Sequence, residues 1–147
     1  MHSKSTFSLV AVTLVTFLQV SPLYSGEHLP KVCFSQRCVD VEIAQTFAER
    51  VRGLQGRPSM DKNNGMLFVF EEPARHGFWM KDTLIPLDMI WMDAQGRIVT
   101  VFSGVPPCAA DPCASYFPEK EALYVLEVNA GVAGEWGLKV GDQAEFK

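Results

Sequence analysis

The sequence has no run of clustered lysine and arginine residues. It carries 13 of these basic residues against 17 Asp and Glu, for a formal net charge of −4. Proteins that bind nucleic acid or anionic membrane surfaces use clustered basic side chains, so this balance argues against both kinds of partner. Three arginines, Arg50, Arg52 and Arg57, are the candidates for a local basic patch.

The marks of several enzyme classes are also missing. There is no Gly-x-Ser-x-Gly nucleophile elbow, no glycine-rich loop that would cradle a phosphate, and no internal repeat. Histidine is scarce, and after the N-terminal segment it occurs at His28 and His76 alone. Nucleophilic catalysis is therefore poorly supported, and we expect no cofactor.

The first 25 residues read as a secretory signal peptide. Lys4 supplies a positive charge, residues 7–20 form an apolar stretch, and Leu23-Tyr24-Ser25 before Gly26 is a plausible cleavage site. The stretch is shorter than the roughly 20 residues that span a bilayer. We therefore expect residues 26–147 to form one exported domain, periplasmic or secreted, monomeric and without stable membrane insertion. The alternative is an uncleaved anchor.

Four cysteines form two close pairs in the sequence, Cys33 with Cys38 and Cys108 with Cys113. Turn-forming residues separate the members of each pair, and an exported chain meets an oxidising compartment, so two local disulfides are favoured. Spacing alone does not exclude the other pairings. A four-thiolate zinc site is a further alternative, although the Cys-x4-Cys spacing is looser than zinc sites usually show.

Short apolar segments separated by turn residues indicate the fold class. Residues 39–44 alternate between apolar and polar side chains, as a half-buried strand does. Thr46-Phe-Ala-Glu49 fits a capping box that begins a short helix, and Asp93-Ala-Gln-Gly96 supplies a turn between two strands. The sequence predicts a mostly β fold, a compact antiparallel sandwich or barrel (jelly-roll-like) of about seven or eight short strands with one short helix.

At one place charged and polar side chains interrupt the apolar sequence beside an aromatic residue. The group comprises Trp79, Lys81, Asp82, Thr83 and Asp88. Charges inside hydrophobic runs are costly to bury unless paired. If residues 77–81 are extended, Trp79 and Lys81 share one face and form a platform for a sugar ring or an acidic group. The alternative is that Lys81 pairs with Asp88 or Glu127 and only fixes the order of the strands.

Arg50 and Arg57 are the second candidate group. The guanidinium group suits carboxylate or phosphate, so these side chains could hold an anionic ligand. The alternative is a salt bridge from this group to Glu127 or Asp88 that docks the helix on the sheet.

Several motifs are distinctive when taken together. They are Glu49-Arg50-x-x-Gly53-Leu54, Trp79-Met80-Lys81, Pro86-Leu87-Asp88, and Leu126-Glu127 before Ala130-Gly131. With them the chain resembles the bacterial and archaeal family called domain of unknown function 192. The resemblance covers essentially the whole chain after the signal peptide, and it implies a compact sandwich or jelly-roll-like β fold with no established reaction.

Two further features bear on the resemblance. The Pro107-Cys108-x4-Cys113 loop and Tyr116 are similar to those of exported family members. The chain departs from the family pattern at Gln55, where the family usually has Met, and at Asp82, where it usually has Asn.

We expect a non-catalytic domain that binds a small molecule or a polymeric ligand such as a glycan in the cell envelope. Its site would comprise Trp79, Lys81, Thr83, Asp88, Arg50, Arg57 and Glu127. The loop closed by Cys108 and Cys113 would form the rim of this site.

Two alternatives stay open. A hydrolase or lyase of envelope glycan would use a carboxylate pair drawn from Asp82, Asp88 and Glu127. A copper-handling protein would use thioethers, which bind Cu(I), and the candidates are Met66, Met80, Met89 and Met92 with His76. These methionines alternate with aromatic and aliphatic residues, which is how methionine fills a core.

Overall fold

The computed structural model describes residues 29–147, so the predicted signal peptide lies outside the described residues. The elements follow in the order β1 (Lys31–Phe34), β2 (Arg37–Ala44), α1 (Phe47–Arg52), β3 (Asn64–Ala74), β4 (Phe78–Trp79), β5 (Leu87–Met92), β6 (Ile98–Val105), β7 (Ser115–Tyr116), β8 (Ala122–Asn129), α2 (Val132–Trp136) and β9 (Ala144–Phe146). Within this part of the chain, neither helix has the length and apolar character that crossing a membrane requires.

Seven strands form one curled sheet in the order β6-β5-β8-β3-β2-β1-β9, and β4 and β7 form a small second sheet. A bridge between Arg97 and Gln143 links the two ends of the large sheet and curls it into a half-barrel. The prediction of a mostly β fold is confirmed. Residues 29–147 form nine strands and two short helices, where the sequence predicted about seven or eight strands and one helix.

One pair of strands departs from the antiparallel arrangement that the sequence predicted. β2 and β3 are parallel, with Val41 opposite Gly65 and Ile43 opposite Leu67. Parallel neighbours need a crossover connection, and α1 with the loop that follows it supplies this connection. The capping box predicted at its start is present, because the backbone N–H of Glu49 donates to Thr46 Oγ1 at 3.2 Å and the Glu49 carboxylate accepts from the Thr46 N–H at 2.8 Å.

The large sheet is buried on both faces, which gives the molecule two cores. Leu67, Ile90 and Leu126 point into the first core, which also receives β1, β9 and α2. Their neighbours along the same strands point into the second core, with Phe68 and Trp91 among them. Strands buried on both faces read as continuous apolar runs, and this explains why β3 and β5 show no alternation.

The small sheet and the end of α1 cover the second core. Phe78 from β4 and Tyr116 from β7 pack against it, and Leu54 enters it just after α1. The Phe78 ring meets Phe68 and Trp91 edge-on, with centroids 4.8 and 5.5 Å apart. The covering layer therefore sits on the central strands, and the gap between α1 and β4 lies directly over them.

Each cysteine lies at bonding distance from the neighbour that the sequence favoured. The S–S distances are 2.07 Å for Cys33 and Cys38 and 2.08 Å for Cys108 and Cys113. The first pair joins opposite positions of the β1–β2 hairpin. The second closes a loop between β6 and β7 and stabilises local shape there.

Asp88 joins two elements on the first-core face of the sheet. This side chain is fully buried, and its two carboxylate oxygens accept hydrogen bonds from the backbone N–H groups of Gly104 and Ala133, each at 2.7 Å. Asp88 therefore ties the end of β6 and the start of α2 to β5.

Replacing Asp88 with Ala should lower the free energy of unfolding by about 3 kcal/mol. Two backbone N–H groups lose their acceptor, and a buried unsatisfied donor costs about 1–3 kcal/mol. Urea denaturation followed by tryptophan fluorescence measures the change. The matched control is Glu121→Ala, an exposed carboxylate beside β8, for which we expect a change within about 0.5 kcal/mol. Wild-type stability in Asp88→Ala would contradict this role.

Candidate functional site

A small cavity of about 30 Å³ lies in the gap between α1 and β4, over the central strands β3 and β8. Its volume suits a group the size of a water molecule or the terminal atoms of a ligand. The helix contributes Arg50 and Arg52, β4 contributes Phe78 and Trp79, and Glu127 of β8 lies among the lining residues. The cavity therefore combines aromatic walls with cationic and acidic side chains.

Glu127 is the chemically unusual member of this cavity. Strand register places it between Met66 of β3 and Met89 of β5, and its exposed fraction is 5%. Among the described residues we find no hydrogen-bond donor and no salt-bridge partner for its carboxyl group. Burial raises the pKa of Glu127 to about 8, because a low-dielectric environment disfavours the charged form. The carboxyl is therefore predominantly neutral at pH 7 and can donate a hydrogen bond.

Trp79 and Lys81 lie close together at the surface. Trp79 is 50% exposed, and Lys81 Nζ lies 5.9 Å from the centroid of its ring. Lys81 Nζ also lies 3.4 Å from Asp111 Oδ1, in the loop closed by Cys108 and Cys113. The alternative in which Lys81 pairs with Asp88 or Glu127 is therefore wrong, and this exposed pair contributes little to stability.

A tight turn after Lys81 shapes one side of the cavity. Asp82 has a φ of 55°, in the left-handed region that Asn and Asp tolerate better than other non-glycine residues, and its carbonyl accepts from the Gly56 N–H at 2.8 Å. Asp82 therefore has a conformational role, and its side chain lines a separate depression beside the disulfide loop. Thr83, which is buried, stays with the cavity.

The two predicted arginines have different surroundings. Arg50 lines the cavity, donates to the carbonyls of Gln45 and Val69, the latter at 3.0 Å, and lies 5.0 Å from the Phe70 ring centroid. It docks α1 on β3 through backbone carbonyls, so the predicted salt bridge to Glu127 or Asp88 is wrong. Arg57 lies outside the cavity.

Arg57 instead forms a surface ion pair with Glu42 of β2. Its two terminal nitrogens donate to the two carboxylate oxygens at 2.5 and 2.6 Å. This hydrogen bonding lowers the pKa of Glu42 and raises that of Arg57.

The three acidic residues that were candidates for a catalytic carboxylate pair do not meet in one site. Asp88 and Glu127 project from opposite faces of the same sheet, because Asp88 is aligned with Val128 and Glu127 with Met89. Within residues 29–147, Glu127 is the one carboxylic side chain that lines the cavity. The structure therefore brings together five predicted residues, Arg50, Trp79, Lys81, Thr83 and Glu127, and leaves Asp88 and Arg57 outside.

The methionines proposed for copper are divided between the two cores. Met66, Met80 and Met89 are buried in the second core, whereas Met92 is buried in the first. The His76 ring stacks on Phe70 with centroids 3.5 Å apart. These thioethers fill hydrophobic space on opposite sides of the sheet.

An apolar groove of about 410 Å³ adjoins the cavity and shares Arg50, Val51, Phe78 and Trp79 with it. Phe47 at its edge is 77% exposed and Val51 is 50% exposed. The groove was not predicted, although the sequence carries a signal for it, since Phe47 and Val51 lie four residues apart on one face of a helix. Arg52 was named only as part of a possible basic patch and not as a site residue, although it lines the cavity, and nothing in the sequence distinguished the cavity wall Phe78 from a core phenylalanine.

Comparisons with known proteins agree with the resemblance noted from the motifs. A UPF0127 protein of Thermococcus sibiricus (strain DSM 12597 / MM 739) is 29% identical over 112 residues, which cover 73% of this chain and 66% of that protein, just under two thirds of its length. A UPF0127 protein of Pyrococcus abyssi (strain GE5 / Orsay) is 30% identical over 111 residues, covering 72% and 85%.

The fold also matches a solved structure. The crystal structure of a protein of unknown function from Novosphingobium aromaticivorans DSM 12444 superimposes with a TM-score of 0.71 at 30% identity, covering 79% of this chain and 82% of that one. The profile of the family DUF192, described as "Uncharacterized ACR", matches residues 31–146. Because this match takes in nearly all of the described residues, the chain belongs to the DUF192 family.

Proposed function

We propose that this chain is an exported domain that binds a small or polymeric ligand in the cell envelope. The binding site is the cavity over Glu127 together with the apolar groove beside it. The proposal depends on one observation, the buried carboxyl of Glu127 without a partner among the described residues. The carboxyl faces the cavity, so a ligand that enters there can form the hydrogen bond to it that no group of the described residues forms.

The surface around the cavity supports binding as well. Phe47, Val51 and Trp79 expose large apolar side chains next to one another along the groove. Clustered apolar side chains at the surface of a soluble domain mark a site of interaction. The groove thus supplies apolar contact, and the cavity supplies the polar group that orients the ligand.

Two features support the location in the envelope. Disulfides persist in oxidising compartments, and both cysteine pairs lie at disulfide distance. The N-terminal 25 residues have the pattern of a signal peptide. Export would place the site where it meets envelope components.

Binding is favoured over glycan hydrolysis by the arrangement of carboxyl groups. Glycosidases of the common type need two carboxyl groups about 5–10 Å apart across the scissile bond. In the described part of the chain, Glu127 lacks such a partner in the cavity, since Asp88 points to the other face of the sheet. A single neutral carboxyl suits recognition of a ligand better than this reaction.

The state of Glu127 predicts how stability depends on pH. The unfolded chain releases this proton near the ordinary value of 4.5, and the folded chain releases it near 8. Between these values the folded state binds more protons, so this contribution to stability is lost as the pH rises from about 4.5 to 8. Each pKa unit corresponds to about 1.4 kcal/mol. We expect Glu127→Gln to become progressively more stable than wild type over this window, by several kcal/mol at pH 8.

Urea denaturation of both proteins at half-unit pH intervals measures this difference. Glu121→Gln, an exposed carboxyl beside the same strand, serves as the matched control and should follow the wild-type curve. If the wild-type and Glu127→Gln curves stay parallel from pH 4.5 to 8, the carboxyl is ionised at neutral pH and the proposed site is wrong.

A thermal-shift screen tests binding directly. The exported protein, purified from an oxidising compartment, is screened against sugars, glycan fragments, organic acids and metal ions, including Cu(I) without oxygen. A ligand at 100 times its dissociation constant stabilises the fold by about 2.7 kcal/mol, which is a shift of several degrees in Tm. We expect Trp79→Ala and Lys81→Ala to abolish that shift.

The control for the screen is Lys62→Ala, which removes an exposed lysine that the cavity does not include and should leave the shift intact. A compound that still stabilises Trp79→Ala and Lys81→Ala would bind at another surface. An absence of hits across the panel would favour a structural role for the cavity residues.

A further inference from the structure

We infer that the ligand is a carboxylic acid with an apolar body, whose carboxylate occupies the cavity and whose body lies in the groove. This inference rests on the proposed function and names the chemistry of the ligand for the same site. Its basis is the juxtaposition of three cations and one unpartnered carboxyl in a cavity that opens onto apolar walls.

The charges that line the cavity favour an anion. Arg50 and Arg52 come from α1 and Lys81 from the turn after β4, whereas Glu127 is the one acidic side chain lining it within residues 29–147. From β3 and β5 the side chains beside Glu127 are Met66 and Met89, which do not titrate. The groups facing the carboxyl are therefore cationic or neutral, and they oppose the entry of an amine.

Glu127 can bind such an anion as a donor. Its raised pKa keeps the proton on the carboxyl at pH 7, and the O–H group can donate to a ligand carboxylate. Hydrogen bonds from O–H to an ionised oxygen are shorter and about twice as strong as neutral ones. A bound carboxylate would also make the ionised form of Glu127 still less favourable, so uptake of the ligand and retention of the proton are coupled.

The volumes of the cavity and of the groove indicate which part of the ligand each of them holds. The cavity, about 30 Å³, admits only a few atoms, so the group that reaches Glu127 is a small terminal one. The groove holds about 410 Å³ and opens from the same side through Val51, Phe78 and Trp79. Its lining side chains carry polar groups at Arg50, at His76 and at the indole N–H of Trp79, fewer than the several hydroxyls of a sugar ring require. An aliphatic or aromatic body matches these walls.

A series of ligands with one body and four head groups tests this assignment. Isothermal titration calorimetry of the exported protein with its disulfides compares octanoate, 1-octanol, octylamine and octyl β-glucoside at pH 7. We expect octanoate to bind most tightly, octanol at least tenfold more weakly, and octylamine not at all. An apolar dipeptide with an acetylated N-terminus and a free C-terminus tells a peptide terminus from an acyl chain, and binding of either supports the inference.

The pH dependence of octanoate binding tests the role of Glu127. Octanoate is ionised throughout the range from pH 7 to 9.5, so a loss of affinity reports the protein. We expect the affinity to fall about tenfold per pH unit above 8, where Glu127 loses its proton. Glu127→Gln keeps a neutral donor and should bind octanoate at pH 7 with an affinity that no longer falls above 8. Glu127→Leu lacks the donor and should bind at least tenfold more weakly.

The outcomes distinguish this inference from the proposed function. Tighter binding of octylamine than of octanoate, or octanoate affinity that does not change up to pH 9.5, overturns the carboxylate assignment and leaves ligand binding in the cavity intact. Binding of octyl β-glucoside alone would assign the groove to a sugar. Failure of the four octyl compounds and of the dipeptide overturns the inference. The proposed function also falls if no compound in the thermal-shift screen loses its effect in Trp79→Ala. Lys62→Met is the charge control and should match wild type.

Discussion

The pairing of β8 with β3 on one side and β5 on the other is the constraint on which the rest of the structure depends. Met66 and Met89 both lie opposite Glu127, and Leu67 and Ile90 both lie opposite Leu126. Side chains alternate along a strand, so this shared register assigns every residue of the three strands to one core or the other. A slip of one residue would move Glu127 into the first core, and the cavity would lose its carboxyl.

That register forces an acidic residue into an apolar layer, and the fold tolerates it because the carboxyl can remain protonated. A carboxylate in this position would need a paired cation or several hydrogen bonds. The neutral form avoids the penalty of a buried charge, although it still lacks a hydrogen-bond partner among the described residues. Stability alone would favour an apolar side chain such as Leu or Met at this position. The residues opposite Glu127 on the two neighbouring strands are both Met. A residue that departs from the local pattern without a structural gain is expected at a functional site.

The sequence predicted the local features well and the long-range ones poorly. The capping box at Thr46, the turn at residues 93–96 and the two cysteine pairs depend on residues within about six positions of one another, and turn chemistry shows them directly. Asp88 and Glu127 look alike in the sequence, since each is one acidic residue inside an apolar strand. Only the register between β5 and β8 shows that Asp88 meets two backbone N–H groups and that Glu127 meets a cavity. The groove was missed for a similar reason, because it depends on how α1 lies against β4.

The cations around Glu127 would be expected to pair with it, and the structure shows why two of them do not. Arg50 is held by the carbonyls of Gln45 and Val69, and Lys81 is drawn toward Asp111 in the loop that Cys108 and Cys113 close. Each of these two cations therefore has its partner outside the cavity, two backbone carbonyls for Arg50 and an exposed carboxylate for Lys81. A guanidinium has five donors, so Arg50 keeps donors for a ligand. The anchoring of these cations keeps the carboxyl and the positive charges apart, and a bound anion would meet both.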